Sequence, residues 1–351
     1  MLRAMTRIRD SGARGERRRR SAVMADVARL AGVSHQTVSR VINDSVHVRS
    51  ETRERVLAAM RELDYRPNSM ARALVTGRSR TLGVVSFDTT LYGPASTLFG
   101  IEQAGHAAGY FITIVSQKAL DRPSLVSAVE RLRDQGVEGI LVISPQESAA
   151  AALVDLPAGV PLVAVEAGPA ESVPVVSVDQ FAGAASATRL LLDLGHETVW
   201  HIAGPSDFLE AQQRVAGWRA TLEAAGAAVP EPLVGDWSPR SGYELGRRLA
   251  EDPQVRAVFV ANDQMALGFL RALHERGRAI PGDVSVIGFD DIPEAQYFIP
   301  PLTTVRQDFS QMGAMSMRLL LDMIEGGEPP SGMTVTPEVI VRASTGAARG
   351  D

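Results

Sequence analysis

The sequence predicts two architectures in one chain: an all-α helix-turn-helix head, then an α/β core of two doubly wound parallel-sheet lobes. Three observations carry this. A short amphipathic helix, a glycine turn and a second helix with a polar outer face lie within the first seventy residues. From Leu82 onward, short β-branched runs alternate with helical stretches, which implies parallel sheets with right-handed crossovers. At roughly 150 residues per domain that stretch is too long for one lobe. Charge divides at the same point: residues 1–80 hold 18 Arg against 8 Asp/Glu, whereas 81–351 hold 18 Lys/Arg against 33 Asp/Glu. A head of net +10 on a body of net −15 points the head, and not the body, at a polyanion.

Composition excludes several classes. The chain has 351 residues, 45% hydrophobic and 22% charged, ordinary for a globular protein able to bury a core unaided. With no Cys, disulfides, thiolate zinc sites, iron–sulfur clusters and thiol catalysis are out, and a reducing cytoplasm is the expected location. No apolar run approaches the length of a membrane span, and no apolar region follows the basic start to make a secretory signal.

Residues 1–22 form an Arg-rich extension, Arg17 to Arg20 included, with almost no apolar content, and are expected to be disordered. The run reads as an extension upstream of a later start at Met5 or Met24; a non-specific nucleic-acid arm is the alternative. Residues 23–66 form the head. Asp26–Ala31 has helical apolar spacing, Gly32-Val33 breaks it, and Ser34 can cap the helix His35–Asn43. There Val38, Val41 and Ile42 share an apolar face, leaving His35, Gln36, Ser39 and Arg40 pointing elsewhere. The N-terminal part of such a second helix enters the major groove, where Gln pairs bidentately with adenine and Arg with guanine, so Gln36 and Arg40 are the expected base readers. A third helix, Glu51 to Leu63, supplies Val56, Leu57, Met60 and Leu63 to the core.

In residues 67–80, Pro67 favours a helix start and Gly77 its end, giving barely two turns that are marginal alone. Residues 81–345 form the core. Its expected strands are Leu82–Phe87, Phe111–Ser116, Gly139–Ser144, Leu162–Glu166, Val175–Asp179, Val199–Ala203, Val258–Asn262 and Val284–Phe289. Helices are expected over Leu98–Ala108, Ser124–Asp134, Ala182–Leu194, Arg214–Ala225, Gly242–Ala250 and Met265–Arg276. Ligands in such folds lie beyond the carboxyl ends of the strands, here in the cleft between lobes. Glu166, Asn262-Asp263 and Asp290-Asp291 stand at those ends. Buried carboxylates and amides need partners, and sugar hydroxyls suit them. Arg214 offers a planar fork and Trp237 a flat face for a pyranose ring. Asp263 and Asp291 are assigned to turns and helix caps, Asn262 and Asp290 to ligand.

No Gly-x-Gly-x-x-Gly follows a strand, no Walker A motif surrounds the single Lys118, and neither Gly-x-Ser-x-Gly nor Ser-x-x-Lys occurs. His196-Glu197-Thr198-Val199-Trp200-His201 spaces its histidines by five, off one helical face, so His196 reads as loop and His201 as core. No enzyme, metal or cofactor is expected. A sugar-binding protein or enzyme on the same two-lobed fold is the rival class, and the basic head argues against it.

The run Val27 to Asn43, Thr52-Arg53-Glu54-Arg55-Val56 and Leu63-Asp64-Tyr65-Arg66-Pro67-Asn68 closely resemble the head of the lactose-repressor (LacI/GalR) family. The resemblance continues through Arg214-Val215-Ala216-Gly217-Trp218, Ala261 to Gly268 and Ile299 to Val305, so it runs from about Met24 to Thr345. It implies a dimeric repressor of carbohydrate-utilisation genes, bound to double-stranded, pseudo-palindromic operator DNA and released by a sugar effector. DNA contacts are implied for Ser34, His35, Gln36, Thr37, Ser39, Arg40 and Asn43, and for Asn68, Ala71 and Leu74 in a minor-groove hinge helix. Arg214, Asn262 and Asp290 would contact sugar hydroxyls, with Trp237 and Phe309 on the apolar side. Gly235-Asp236-Trp237-Ser238 and Arg306-Gln307-Asp308-Phe309 lean toward the lactose-repressor branch, which makes a galactoside the leading effector. Glu166 replaces that branch's Asp and Ile143 its Asn. Val23 stands where the family has a capping Thr, leaving Ser21 or nothing to cap. Residues 346–351 form a short tail with no heptad helix, so a dimer without tetramerisation is expected, as is ligand-strengthened binding as the alternative sign.

Overall fold

The computed structural model describes residues 22–42, 47–66, 77–117, 121–153, 156, 159–168, 173–328, 330 and 332–348. Contacts divide the chain into two units, residues 1–78 and 79–351. In the first, α1 (Met24–Ala31), α2 (His35–Ile42) and α3 (Ser50–Glu62) enclose a core of Val27, Ala28, Ala31, Val38, Val41, Val56 and Ala59. Gly32, at φ +62°, ends α1 in the left-handed conformation that only glycine adopts without strain. Among the described residues no side chain replaces the Thr cap: the Asp26 N–H is met by the Val23 carbonyl at 2.9 Å, and the Asp26 carboxylate accepts the Val23 N–H at 3.1 Å. Ser34 caps α2 as expected, its Oγ accepting the Thr37 N–H at 3.1 Å. Leu57 departs from expectation: it is exposed, and Ala59 takes its place in the core. Residues 1–21 of the extension, Asn43, and Asn68, Ala71 and Leu74 of the expected hinge helix lie outside the described residues.

The second unit holds two lobes. The N-lobe strands are β1 (Thr81–Phe87), β2 (Phe111–Gln117), β3 (Ile140–Ile143), β4 (Leu162–Val165) and β5 (Val175–Val178). They carry α4 (Tyr92–Ala107), α5 (Arg122–Asp134) and α6 (Glu147–Ala152) between them. After α7 (Gln180–Asp193) the C-lobe runs β6 (Trp200–Ala203), α8 (Leu209–Ala224), β7 (Leu233–Val234), α9 (Pro239–Glu251), β8 (Ala257–Val260), α10 (Asp263–Glu275), β9 (Ser285–Asp290) and β10 (Thr303–Arg306). The chain then recrosses: α11 (Phe309–Ile324) and β11 (Gly332–Val335) return to the N-lobe, and β12 (Glu338–Ile340) ends in the C-lobe. Sheet orders are β11-β5-β4-β3-β1-β2 and β12-β10-β9-β8-β6-β7.

The inner strands of each sheet are buried on both faces, as parallel sheets with helical crossovers require. In β1, Leu82 and Val84 face one apolar cluster while Val85 and Phe87 face the other. In β8 the same alternation sends Val258 and Val260 one way and Ala257 and Phe259 the other. The C-lobe sheet adds one antiparallel edge strand to its parallel set, β12 on β10. His201 is core as read, stacked on Phe259 with ring centroids 4.5 Å apart. His196 lies in the loop after α7, as read, and is buried there, with Nε2 3.0 Å from Ser285 Oγ. Ile143 belongs to the apolar core. Among the described residues no helix is long and apolar enough to cross a membrane.

Candidate functional site

The head offers one exposed polar surface on α2. His35, Gln36 and Arg40 are exposed while Val38 and Val41 face inward, which is the consequence of the 3.6-residue period. Ser39 and Thr37 are half-buried, and Thr37 Oγ1 lies 2.9 Å from the Ser34 hydroxyl. Arg55 of α3 donates to the carbonyls of Ala31 and Gly32, tying the turn between α1 and α2 to the third helix. The two helices that present this surface are thus held by caps and by a charged hydrogen bond as well as by the small core.

The second unit contains a cavity of about 320 Å³ between its lobes, of the size small-molecule sites have. The segment Thr90–Pro94 and Glu166 bound it on the N-lobe. Phe208, Glu210, Arg214, Asp236–Pro239, Asn262, Gln264, Asp290 and Gln307 bound it on the C-lobe. Five of the six residues expected to hold ligand therefore meet here: Glu166, Arg214, Trp237, Asn262 and Asp290. Phe309 does not. It is buried in the N-lobe core behind Tyr92, the two rings edge-to-face at 5.8 Å, and of these two it is Tyr92 that lines the cavity.

Arg214 is 4% exposed and organises the floor. Its Nε donates to Gln180 Oε1 at 2.9 Å, its Nη1 donates to the Ala261 carbonyl, and its Nη2 stands 3.7 Å from Asp290 Oδ1. Gln180 Nε2 donates to Gln307 Oε1 at 2.8 Å, and Gln307 Nε2 to Asp290 Oδ1 at 2.7 Å, closing a ring of four side chains. The guanidinium also lies 3.8 Å from the centre of the Phe289 ring. Asn262 caps α10, accepting the Met265 N–H at 2.9 Å, and its amide donates to the Trp237 carbonyl at 3.1 Å. It is cap and cavity wall at once. Trp237 packs edge-to-face on Phe208 at 5.7 Å, and Gly204 leaves the space its ring fills.

Three wall residues, Glu166, Trp237 and Asp290, have φ of +59°, +71° and +109°. Non-glycine residues in that region are uncommon and concentrate at binding sites, where surrounding contacts hold them. Burial pushes Asp290 up to about 6 against the opposing pull of Arg214 and Gln307. Burial pushes Glu166 up to about 7; Thr97, whose hydroxyl donates to Oε1 at 3.1 Å, and Arg214 oppose this, while Asp290 adds to it. Glu210 is raised well above the ordinary range by burial and by the neighbouring Glu166. Asp263 and Asp291 are structural, as assigned, but cap nothing. Asp263 accepts from the Ile292 N–H at 2.9 Å and Thr304 Oγ1 at 2.6 Å; Asp291 pairs with Arg306 and Arg342.

Tyr92, Phe208, Glu210, Gln264 and Gln307 were not anticipated. Glu210 carried a signal: it precedes Arg214 by four residues, hence shares its helical face, once α8 is seen to begin at Leu209.

Comparison with known proteins bears on both units. The family model described as bacterial regulatory proteins, lacI family, matches residues 23–68, and the periplasmic binding protein-like domain matches 188–345. The HTH-type transcriptional regulator CelR of Thermobifida fusca is 37% identical over 342 residues, covering 93% of this chain and 99% of its own. A crystal structure of the lac repressor dimer bound to operator and the anti-inducer ONPF has a TM-score of 0.85 and 32% identity. It covers 93% of this chain and 100% of its own. A CelR–cellobiose complex has a TM-score of 0.67 at 34% identity, covering 92% of this chain and 99% of its own.

Proposed function

This chain belongs to the lacI family of bacterial regulatory proteins, and from that membership we propose that it represses carbohydrate-utilisation genes and is released by a sugar bound between its lobes. The observation that carries the reading is the cavity itself. A planar cation, a carboxylate, a capping amide and an indole face converge there at strand ends, in the chain that also bears the helix-turn-helix. Hydroxyls bridge such polar groups, and the indole covers the apolar face of a pyranose.

In this mechanism a homodimer places two heads in successive major grooves of a pseudo-palindromic operator. Gln36 and Arg40 read base edges. Ser34, His35, Thr37, Ser39 and Asn43 position the helix. Asn68, Ala71 and Leu74 belong to a hinge helix that pairs with its mate in the minor groove, where Leu74 wedges a base step open. Residues 23–66 are the DNA-binding domain, 67–80 the hinge and 81–345 the effector and dimerisation core. In the core Glu166, Arg214, Asn262 and Asp290 take the sugar hydroxyls and Trp237 stacks on the ring, while Phe309 supports Tyr92 from behind. A galactoside is the leading effector. A β-linked glucoside is the second reading, favoured by likeness to the CelR that was crystallised with cellobiose.

Fluorescence anisotropy on a palindromic site from upstream of the gene, at fixed salt, tests this with galactosides, glucosides and pentoses in turn. Weakened operator binding with one class is the expected result and identifies the effector. Tighter binding would reverse the sign to co-repression. Specific DNA binding that no sugar alters would refute the cleft's assigned role.

A further inference from the structure

Resting on the reading of the cleft as a sugar site, we propose that the effector is a basic sugar, an amine-bearing polyol whose ammonium group lies between Glu166 and Glu210. Four carboxylates line the cavity: Asp236, exposed at its edge and accepting from the Ser238 N–H and hydroxyl, and the deeper Glu166, Glu210 and Asp290; among the described lining residues they face one cation, Arg214. That cation is already committed. Its donors serve Gln180 and the Ala261 carbonyl, and its nearest carboxylate is Asp290, which also accepts from Gln307. Asp290 is thereby compensated, and Glu166 and Glu210 are left without a countercharge of their own.

A second observation is independent of charge. Glu166 is 5% exposed, and only its Oε1 has a partner, the Thr97 hydroxyl. Its Oε2 is buried with no hydrogen-bond partner among the described residues, and Oε1 of Gln264, another wall residue, is in the same condition. Buried acceptors without donors are costly and rare, so the wall is complementary to a molecule rich in donors. A neutral hydroxyl donates one hydrogen and brings no charge. An ammonium group donates three and supplies the missing countercharge. An acidic or phosphorylated sugar would bring a further acidic group to a wall that already holds four carboxyls, and is disfavoured. The Glu166 backbone, held at φ +59°, aims this acceptor from the end of β4, and Glu210 comes from the first turn of α8 on the other lobe. A group seated between them would bridge the lobes, which is the geometry an effector of lobe closure requires.

Calorimetric titration of the full-length protein near neutral pH tests this with three matched pairs: galactosamine and galactose, glucosamine and glucose, and the β-1,4-linked glucosamine dimer and cellobiose. The expected result is that, in one pair, the amine binds about tenfold or more tightly than its hydroxyl parent, and that N-acetylation removes the gain. Glu210→Gln should bring the two members of that pair to within about twofold, and Glu166→Gln should do the same. Thermal melts of both variants establish that they fold. If the neutral member binds as tightly as the amine, or if neither variant changes the ratio, the basic-sugar assignment fails while the sugar-effector reading survives. If no member of any pair binds, both fail together.

Discussion

At the scale of single residues, Glu166 bears the largest consequence, because folding removes its carboxylate from water and gives one oxygen no donor. Its folded-state pKa, about 7, stands above the ordinary value of 4.5, so the native state holds this proton more tightly than the unfolded chain does. Stability from this group is therefore fully present below about 4.5 and is lost as pH rises through about 7. Arg214, Glu210 and Asp290 face it, and His201, held down to about 4 by burial, acts in the opposite sense as pH falls. The clean measurement is a difference: the melting temperature of Glu166→Gln minus that of the parent should increase from pH 5 to pH 8, and a flat difference would show Glu166 to be solvated. On the head, Arg40→Ala should cost about 1–3 kcal/mol on the preferred operator and relax base choice at one position, measured by anisotropy on single-base variants. Loss that is equal on every sequence would make Arg40 a phosphate contact instead. Residue-level legibility followed chemistry: Asn262 and Asp290 stood out as polar groups at strand ends, and Arg214 as the planar fork that could join them. Tyr92 did not, because nothing in its local sequence says that its ring rather than that of Phe309 reaches the cavity; only the packing of α4 on α11 decides it.

At the scale of elements, the closest approach in the C-lobe is that of α9 and α10, whose backbones meet over glycines. A Cβ on Gly268 would fall on the Pro239 carbonyl oxygen, and one on Gly242 on the Met265 carbonyl. The helices cannot move apart freely, since α10 carries the Asn262 cap that holds the Trp237 loop. Gly268→Ala should therefore destabilise the protein by about 1–3 kcal/mol, the usual cost of overpacking, and should weaken effector binding by displacing Trp237. Urea unfolding with an unchanged m-value and effector titration check it; an unaltered midpoint would mean that the helices separate without cost. Most of the elements that alternation made legible are buried on both faces. Of those missed, β10 is mostly buried but only four residues long, and the others are of a different kind. β7 has two residues, β11 and β12 lie at sheet edges with mostly exposed or half-buried side chains, and α6 is six residues long. Their pairing is decided by neighbours that are distant in sequence, and periodicity within so few residues carries little information. α11 was obscured because Gly313 and Ser316 interrupt its buried Met and Leu stripe, where Gly313 lets it meet the backbone at Gly100 of α4.

At the scale of the whole molecule, the division of charge and the division of labour coincide. The basic residues concentrate in the unit that carries the helix-turn-helix, and the acidic excess in the unit that carries the cavity. Operator affinity should therefore fall steeply with salt, with a log–log slope of about −0.9 for each phosphate neutralised, whereas effector affinity depends on buried groups and should respond far less. If the sugar releases the operator, the two sites are coupled, and coupling in a binding equilibrium is reciprocal. The factor by which saturating effector weakens operator binding must equal the factor by which operator weakens effector binding. For a coupling of about 1–3 kcal/mol that factor lies in the range of about 5 to 150. The first ratio comes from anisotropy titrations of labelled operator with and without effector. The second comes from calorimetric titrations of effector into free and operator-saturated protein, at the same salt and protein concentration. Equal ratios establish a dimer whose states are biased by both ligands. Unequal ratios would mean that the assembly itself changes between the titrations, since dissociation of the dimer adds a concentration-dependent step that a two-site cycle does not contain. Effector affinity that is identical with and without operator, while the sugar still displaces the DNA, would violate the cycle outright. That result would mean that the calorimetric titration reports a site other than the one through which the sugar displaces the DNA.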